Sequence, residues 1–168
     1  LTQPSWNSFT RNMAFVVSPY GTDSEDNVVG SNNNINHFFR RAPGFMDVVC
    51  RSGTGASAFT RIDVNHSLGA VPELIIYKCR SNPSGWHVGT FSPSNPTQEG
   101  YGLLNQTYAI SSATLPGNFL YAAPTTTQFS FWESGFGLDV SGRTYVAYLF
   151  ASLPGISKVG SYTGNGSS

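Results

Sequence analysis

The chain has 168 residues with nine basic and nine acidic side chains, so its formal net charge at pH 7 is zero. We therefore expect no nucleic acid partner and no membrane insertion, because the charge provides no attracting field and no apolar run approaches the roughly 18 residues of a membrane span. Charged residues make up 11% of the chain, against about 25% in an ordinary soluble domain, so neutral hydrogen-bonding groups must form much of the surface.

Short β-rich runs bounded by Gly, Pro, Asn and Ser recur along the chain, and no run has a helical period. The predicted strands are residues 13–17, 35–40, 45–51, 59–64, 73–79, 85–91, 107–111, 118–121, 128–133, 144–150 and 156–162. In the runs around Phe131 and Ala147, large side chains occupy both faces, which favours strands covered on both sides. We predict an all-β fold, an antiparallel β-sandwich domain in a tandem-repeat fibre protein.

Residues 39–57 recur without a gap as residues 150–168, with seven identical pairs that are each 111 positions apart. Pro fixes φ and Gly permits a positive φ, so the matched residues specify turns, and we predict the same local backbone path in both copies. The structural motif residues are Pro43, Gly44, Gly53 and Gly55 in the first copy and Pro154, Gly155, Gly164 and Gly166 in the second.

A repeat of this kind is typical of a tandem array of domains. We expect residues 1–34 to be an N-terminal segment that ends a preceding repeat and residues 35–149 to be a β-sandwich repeat. Residues 150–168 then begin the next repeat or form a closing strand pair. Because the chain starts at Leu1 without an initiator Met, we interpret it as a window from a longer modular protein.

Three motifs follow one another within residues 36–168: H-x-L-G-x-x-P-E-L-I-I from His66, Y-V-A-Y-x-F from Tyr145 and G-S-Y-T-G-N-G from Gly160. Their order and spacing resemble the repeated β-domain of tail-fibre and receptor-binding proteins of marine and cyanobacterial tailed phages. Where that family usually reads Asn-His-Asn-Leu-Gly, this chain has Ser67 in place of the second Asn.

The resemblance implies an external location on the virion, in a tail fibre or another appendage, and a role in host attachment. It brings no catalytic residues, and we expect no cofactor. Low charge and two-faced strands favour a homo-oligomer, because a monomer would expose the apolar surface. The resemblance implies that this oligomer is a trimer and that other virion tail proteins are its partners.

His66 lies in residues 65–73, which have the pattern of a strand end, a turn with Gly69 and Pro72, and a core strand. A neutral imidazole could ligate a metal or act as a base. We favour a structural role instead, in which Asn65 and His66 hydrogen-bond loop backbone groups. The three histidines of the chain share no ligand spacing with one another or with the cysteines, so we expect no zinc site.

Cys50 and Cys79 each end an apolar alternation. Free cysteines behave as small buried hydrophobes, and phage proteins fold in a reducing cytoplasm. We therefore favour two buried thiols over a disulfide.

The loop TDSEDN holds an acidic cluster of Asp23, Glu25 and Asp26. Alternating oxygen ligands can bind calcium, but the loop lacks the Gly and the distant Glu of an EF-hand. We favour a solvated loop and keep a metal site as the weaker alternative.

Other acids are scattered without the signature of a paired-carboxylate glycosidase, and serine-hydrolase, Walker and dinucleotide motifs are absent from the sequence. A glycan depolymerase is therefore the minority alternative. These scattered acids are Asp63, Glu73, Glu99, Glu133 and Asp139.

Aromatic residues occur in loops rich in Asn, Ser and Gly, where they could stack on sugar rings while their neighbours bind the hydroxyl groups. Packing is the competing interpretation, because 14% of the chain is aromatic and most of these rings must lie in a core or an interface. The candidate ligand-binding residues are Trp86, His87, Tyr101, Trp132 and Phe136.

We predict a non-enzymatic module of a phage tail fibre, an extracellular virion protein that binds a host-surface glycan or protein receptor through many weak sites. The alternatives are a purely structural spacer and a capsid-bound fibre or decoration protein. Exposed aromatics clustered at one loop end would favour adhesion, whereas aromatics buried between chains would favour the spacer.

Overall fold

The computed structural model describes residues 13–17, 37–133 and 136–160, with residues 13–17, 37 and 38 as backbone only. The chain forms two compact units, Leu1–Arg41 and Ala42–Ser168. Every regular element in the described residues is a β-strand, and every strand pair is antiparallel. The predicted all-β antiparallel fold is therefore confirmed. No helix in this part of the chain is long and apolar enough to cross a membrane.

The first unit contains the strand pair β1 (Met13–Val17) and β2 (His37–Arg40). Val17 pairs with His37 and Met13 with Arg40, and one register shift interrupts the ladder between them. β1 has the predicted bounds. Residues 35 and 36 of the second predicted strand lie outside the described residues.

The second unit contains two sheets whose inner faces pack together as a sandwich. Its strands are β3 (Met46–Ser52), β4 (Thr60–Asn65), β5 (Leu74–Cys79), β6 (His87–Ser92), β7 (Asn95–Leu103), β8 (Ser111–Thr114), β9 (Leu120–Ala122), β10 (Gln128–Glu133) and β11 (Thr144–Phe150). The larger sheet has the order β3-β11-β5-β6-β7-β8, and the smaller sheet has the order β4-β10-β9.

Alternate side chains of both sheets meet in one buried core. The fully buried ring of Tyr77 on β5 lies 4.9 Å from the Phe131 ring on β10 and 5.4 Å from the Tyr145 ring on β11, so this contact joins the two layers. Burial of such a side chain contributes about 1.5 to 3 kcal/mol. On β11 the outward Val146 is also only 6% exposed, as its two-faced alternation predicted. The rest of the core is Ile62, Val64, Leu68, Ile75, Cys79, Phe91, Phe119, Leu120, Phe129, Leu138, Ala147, Leu149 and Ala151.

Strand direction gives the second unit two ends, which we call the base and the loop end. At the base β3 begins and β11 ends, and Met46 pairs with Phe150. At the loop end Ser52 pairs with Thr144. Because the strands are antiparallel, alternate connections return to the same end. The connections at the loop end are residues 53–59, 80–86, 104–110 and 136–143.

The predicted strands agree with the structure within two residues for most elements, and β10 and β11 have the predicted bounds. The sequence missed β7, because Pro96, Gly100 and Gly102 are poor strand formers. Close packing explains why glycine occurs at position 100, since a Cβ there would lie 2.9 Å from Cγ2 of Ile110. The predicted strand at residues 107–111 is wrong, because β8 begins only at residue 111.

The two copies of the sequence repeat contain the same turn, as predicted. Ala42 and Met46 form an isolated antiparallel bridge, and Leu153 and Ser157 form the corresponding one. The Ala42 N–H donates to the Met46 carbonyl at 3.0 Å, and the Leu153 N–H donates to the Ser157 carbonyl at 3.1 Å.

After this turn the two copies differ. In the first copy the chain continues as β3, which pairs with β11. In the second copy residues 158–160 belong to no strand, so the described part of the predicted strand at residues 156–162 is not confirmed. Strand backbone needs a hydrogen-bonding partner, and no described strand pairs with residues 158–160. Gly164 and Gly166 lie outside the described residues.

Candidate functional site

Large apolar side chains are exposed mainly at the loop end. In the described part of the chain, six large hydrophobic side chains are 51 to 75% exposed. Concentrated exposed apolar surface commonly marks a site of interaction. Ile156 is the one of the six that lies in the base turn. The other five, which we call the loop-end surface, are Phe59, Leu104, Tyr108, Ile110 and Phe136.

Phe59 is held in an unusual backbone conformation. Its φ is +62°, in the left-handed region that bulky residues rarely adopt, and its side chain is 75% exposed. The Phe59 N–H donates to the Glu133 carbonyl at 2.5 Å, which fixes the residue at the end of β10. Such a conformation costs on the order of 1 to 3 kcal/mol and is common at functional sites.

An aromatic cluster connects the core to this surface. The His87 ring lies 6.5 Å from the buried Phe119 ring, 6.1 Å from the Tyr101 ring and 6.1 Å from the exposed Phe136 ring. The Tyr101 and Phe136 rings are stacked, 6.5 Å apart and inclined by 14°. Three predicted ligand-binding residues are thus brought together.

This cluster is uncharged at neutral pH. Burial, assisted by the charge of Lys78, lowers the pKa of His87 to about 4. Burial also raises the pKa of Tyr101, and Tyr108 and Glu99 act in the same direction. His87 Nδ1 and Tyr101 Oη share a hydrogen bond of 3.1 Å. An imidazole with so low a pKa is a weak base at pH 7, so the cluster suits stacking and hydrogen bonding better than proton transfer.

Trp86 precedes His87 but lies over the opposite face of the larger sheet. The Nζ atom of Lys78, which projects outward from β5, is 5.8 Å from the centroid of the Trp86 ring. The backbone N–H of Trp86 donates to Oδ1 of Asn105 at 3.0 Å. Trp86 therefore does not join the cluster around His87.

Trp132 lies on the outer face of the smaller sheet. Its ring is half-buried and meets the Tyr121 ring edge-on at 4.7 Å. The guanidinium of Arg61 stacks over Tyr121 at 5.1 Å and is held by Asp63, with an Nε to Oδ1 distance of 2.6 Å. The five predicted ligand-binding residues therefore lie towards the loop end but in three separate places. His87, Tyr101 and Phe136 form the cluster, Trp86 lies over the outer face of the larger sheet, and Trp132 lies on the outer face of the smaller sheet.

A buried ion pair fixes the connections at the loop end. Asp139 is fully buried and pairs with Arg51 at 2.5 Å, and its carboxylate also accepts hydrogen bonds from the Thr54 N–H and hydroxyl. Burial by itself would raise the pKa of Asp139, but the Thr54 and Arg51 contacts prevail and lower it. A Cβ on Gly53 would lie 2.1 Å from the Val140 carbonyl oxygen, so the close approach of these connections requires glycine.

Glu99 has a comparable structural role. Its carboxylate is 2% exposed and accepts the Phe119 N–H at 2.8 Å and the Leu120 N–H at 2.6 Å. Burial raises the pKa of Glu99, and these hydrogen bonds act against the rise. At the base, the Glu73 carboxylate accepts the Ser152 N–H at 2.7 Å.

Metal-binding groups remain separate in the described residues, where no three His, Cys, Asp or Glu side chains could hold an ion. The predicted cluster of Asp23, Glu25 and Asp26 lies outside those residues. His66 makes one backbone contact of the expected kind, because its Nδ1 accepts the Leu68 N–H at 3.3 Å. Asn65 instead accepts a hydrogen bond from the side chain of Gln128.

The β4–β5 connection has the predicted turn. Gly69 has a φ of +73°, and Pro72 is buried just before β5. Both cysteines are free thiols. Cys79 is buried as predicted, but the prediction is wrong for Cys50, which is exposed because it faces outward from edge strand β3.

Phe59, Leu104, Tyr108 and Ile110 were not predicted as site residues. Tyr108 lies close enough to Tyr101 to influence its pKa, which extends the cluster onto the β7–β8 connection. A signal was present in the sequence, since three large apolar residues occur within the loop segment 104–110. Tyr108 and Ile110 fall instead in the predicted strand at residues 107–111.

These features define an antiparallel β-sandwich protein with an aromatic surface at one end. Residues 10–168 match the sequence profile of DUF7483, a domain of unknown function, and the chain belongs to this family. Neither the curated proteins nor the solved structures include a match to this chain. The family description assigns no activity, so the geometry of the site must support any function.

Proposed function

We propose that this chain is a non-enzymatic module of a phage tail fibre that attaches the virion to a host-surface glycan. The observation that carries the proposal is the position of the loop-end surface, on the side of the sandwich opposite the base turns. The resemblance to tail-fibre β-domains supports the same function. A protein receptor on the host is the corresponding alternative ligand.

Binding would use ring faces and neutral polar groups. Sugar rings have an apolar face that can stack on Tyr101, Tyr108 or Phe136, while the exposed polar segment 105–107 supplies hydrogen bonds. One such ring contributes on the order of 1 to 3 kcal/mol, which corresponds to about a 5- to 150-fold change in affinity.

The repeated turn supports a tandem array of such modules. The Ala151 N–H donates to the Phe45 carbonyl at 3.1 Å, so the two copies of the turn lie side by side at the base. A following repeat joined at the second turn would begin beside the base and leave the loop end exposed. Repeated weak sites on one fibre then gain avidity from a high effective concentration.

We also propose a homo-oligomer, most simply a trimer, that contacts other virion tail proteins outside the cell. The zero net charge of the chain supports association, because a net charge far from zero keeps proteins apart. The outward Val146 and Ile76 are already only 6% exposed within one chain, so the larger sheet adds no exposed apolar face to this argument. Native mass measurement of the complete protein tests the assembly. A stable monomer at micromolar concentration would contradict it.

The spacer alternative predicts that the aromatic rings lie between subunits. The exposed rings at one end favour adhesion, because an end surface can reach a receptor without separating subunits. The depolymerase alternative requires two acids in one cleft. Asp63, Glu73, Glu99 and Asp139 instead contact separate structural partners.

The test compares Tyr101→Ala, Tyr108→Ala and Phe136→Ala with His66→Ala and Asp63→Asn for binding to host cells, after circular dichroism confirms folding. We expect one or more aromatic variants to lose about 5- to 150-fold in affinity and the other two to bind normally. Normal binding by all aromatic variants, with loss of host-glycan cleavage in a carboxylate variant, would establish the depolymerase instead.

A further inference from the structure

A groove crosses the outer face of the larger sheet near the loop end, apart from the cluster around His87. It has a volume of about 570 Å³, and its lining includes Lys78, Arg80, Ser81, Asn82, Trp86 and Val146. This volume lies within the roughly 300 to 1,000 Å³ of small-molecule sites. The outward side chains of β5 and β11 form its floor, and the β5–β6 connection forms one wall.

Among the described residues, the groove lining carries two cations and no acid. Lys78 and Arg80 take part in no salt bridge among residues 37–133 and 136–160. Two other acids of the second unit already have cationic partners, since Asp139 pairs with Arg51 and Asp63 pairs with Arg61. In the part of the chain that the structure describes, two cations without a salt-bridge partner therefore line one groove of a chain with zero net charge.

Lys78 is fixed in position before any ligand binds. Its Nζ donates to the Cys79 carbonyl at 2.9 Å and to the Ser84 hydroxyl at 3.1 Å. An ammonium has three donors, so one donor and the full charge are left for a ligand. The same Nζ lies 5.8 Å from the Trp86 ring centroid, which places a fixed cation beside an aromatic face.

We propose that this groove binds an acidic saccharide, a sugar that bears a carboxylate or a sulfate. Trp86 stacks on the sugar ring, Lys78 and Arg80 bind the anionic group, and Ser81 and Asn82 bind hydroxyl groups. An acidic peptide or a nucleic acid fits less well. The groove offers one half-buried ring and a short wall of hydroxyl and amide groups, which match a sugar better than the several stacked bases of a single-stranded nucleic acid. The proposal rests on glycan attachment as the function, but it does not depend on the loop-end surface.

The test uses two α-1,4-linked sugar oligomers of equal length that differ only at C6 of each residue, oligogalacturonate and its carboxyl-reduced neutral counterpart, with a sulfated galactan oligomer as a third probe. Binding to the whole chain is measured by calorimetry. We expect at least one anionic oligomer to bind about 10-fold more tightly than the neutral one. Arg80→Gln and Lys78→Gln should each remove about 10-fold of that affinity, and Trp86→Ala should weaken all saccharides that bind the groove. Lys158→Gln removes an exposed cation at the base and is the matched control.

Three results would overturn the inference: no preference for either acidic oligomer, an equal loss with Lys158→Gln, or equally tight binding of oligothymidylate. The same measurements distinguish failure of the groove assignment from failure of the proposed glycan attachment. If neutral glycans bind and lose affinity in Phe136→Ala while acidic oligomers show no preference, only the groove assignment fails. If no saccharide binds, both fail.

Discussion

Gly44 and Gly155 occupy the same position in two copies of one turn, although 111 positions separate them in the sequence. Their φ angles are +73° and +76°, a region that residues with a side chain rarely adopt. The relationship shows that the repeat specifies backbone path. Both turns lie at the base, away from the loop-end surface, so the repeated residues are architectural.

Replacing either glycine by alanine should lower the free energy of unfolding by about 1 kcal/mol, because a Cβ is strained at positive φ. Space is not the cause, since a Cβ at Gly155 would meet no atom within 4 Å. Urea unfolding of Gly44→Ala and Gly155→Ala measures the effect. Gly160→Ala is the control and should change little, as it is also open but has no positive φ. Destabilisation of only one of the two turn variants would contradict the equivalence.

Phe59→Asn should stabilise the fold and weaken glycan binding. Asn tolerates the left-handed region better than Phe does, so the melting temperature should rise by an amount equivalent to about 0.5 to 1 kcal/mol. In the proposed loop-end site the exposed ring would contact the glycan, so its removal should reduce affinity on a glycan array. A variant that melts at lower temperature would show that the Phe59 ring packs for stability.

Asp139→Asn should destabilise the loop end by about 3 kcal/mol, because it leaves Arg51 without its buried counter-charge. The matched control is Asp63→Asn, which disrupts an exposed ion pair with Arg61 and should change stability by less than about 1 kcal/mol. Chemical denaturation of both variants tests the difference. Similar effects in the two variants would contradict the structural role of the buried pair.

His87 should make the protein less stable as the pH falls from about 6.5 towards 4. Its pKa in the fold is about 4, below the usual 6.5, so the unfolded chain binds the proton first and is favoured by acid. The loss between pH 7 and pH 5 is about 2 kcal/mol. Urea unfolding at both pH values should give a smaller difference for His87→Gln than for the wild type. An unchanged difference would show that His87 titrates normally in the fold.

Much of the fold could be predicted because aromatic alternation defines buried strands. β10 and β11 have the predicted bounds, since Phe129, Phe131, Tyr145 and Leu149 occur with period two. β7 could not be predicted, because side chains from other segments approach its glycines closely: a Cβ on Gly100 would lie 2.3 Å from Thr90 Oγ1 and 2.9 Å from Ile110 Cγ2. That approach depends on tertiary packing.

The candidate site was predicted only in part. Trp86 and His87 were grouped because they are adjacent, but strand alternation directs their rings to opposite faces of the larger sheet. Phe59 was predicted to begin a strand, since nothing in its local sequence indicates a positive φ. Pairing with the end of β10 imposes that conformation, and such long-range constraints are not encoded in a local pattern.

The most direct test of the account measures binding to an array of neutral glycans by three proteins: wild type, a variant with both Tyr108→Ala and Phe136→Ala, and Ile156→Ala. Ile156 is the matched control, because it is 70% exposed but lies at the base. We predict that the double variant loses about 10-fold or more in affinity while Ile156→Ala binds as the wild type does. Unchanged binding by the double variant, or an equal loss in Ile156→Ala, would contradict attachment through the loop end.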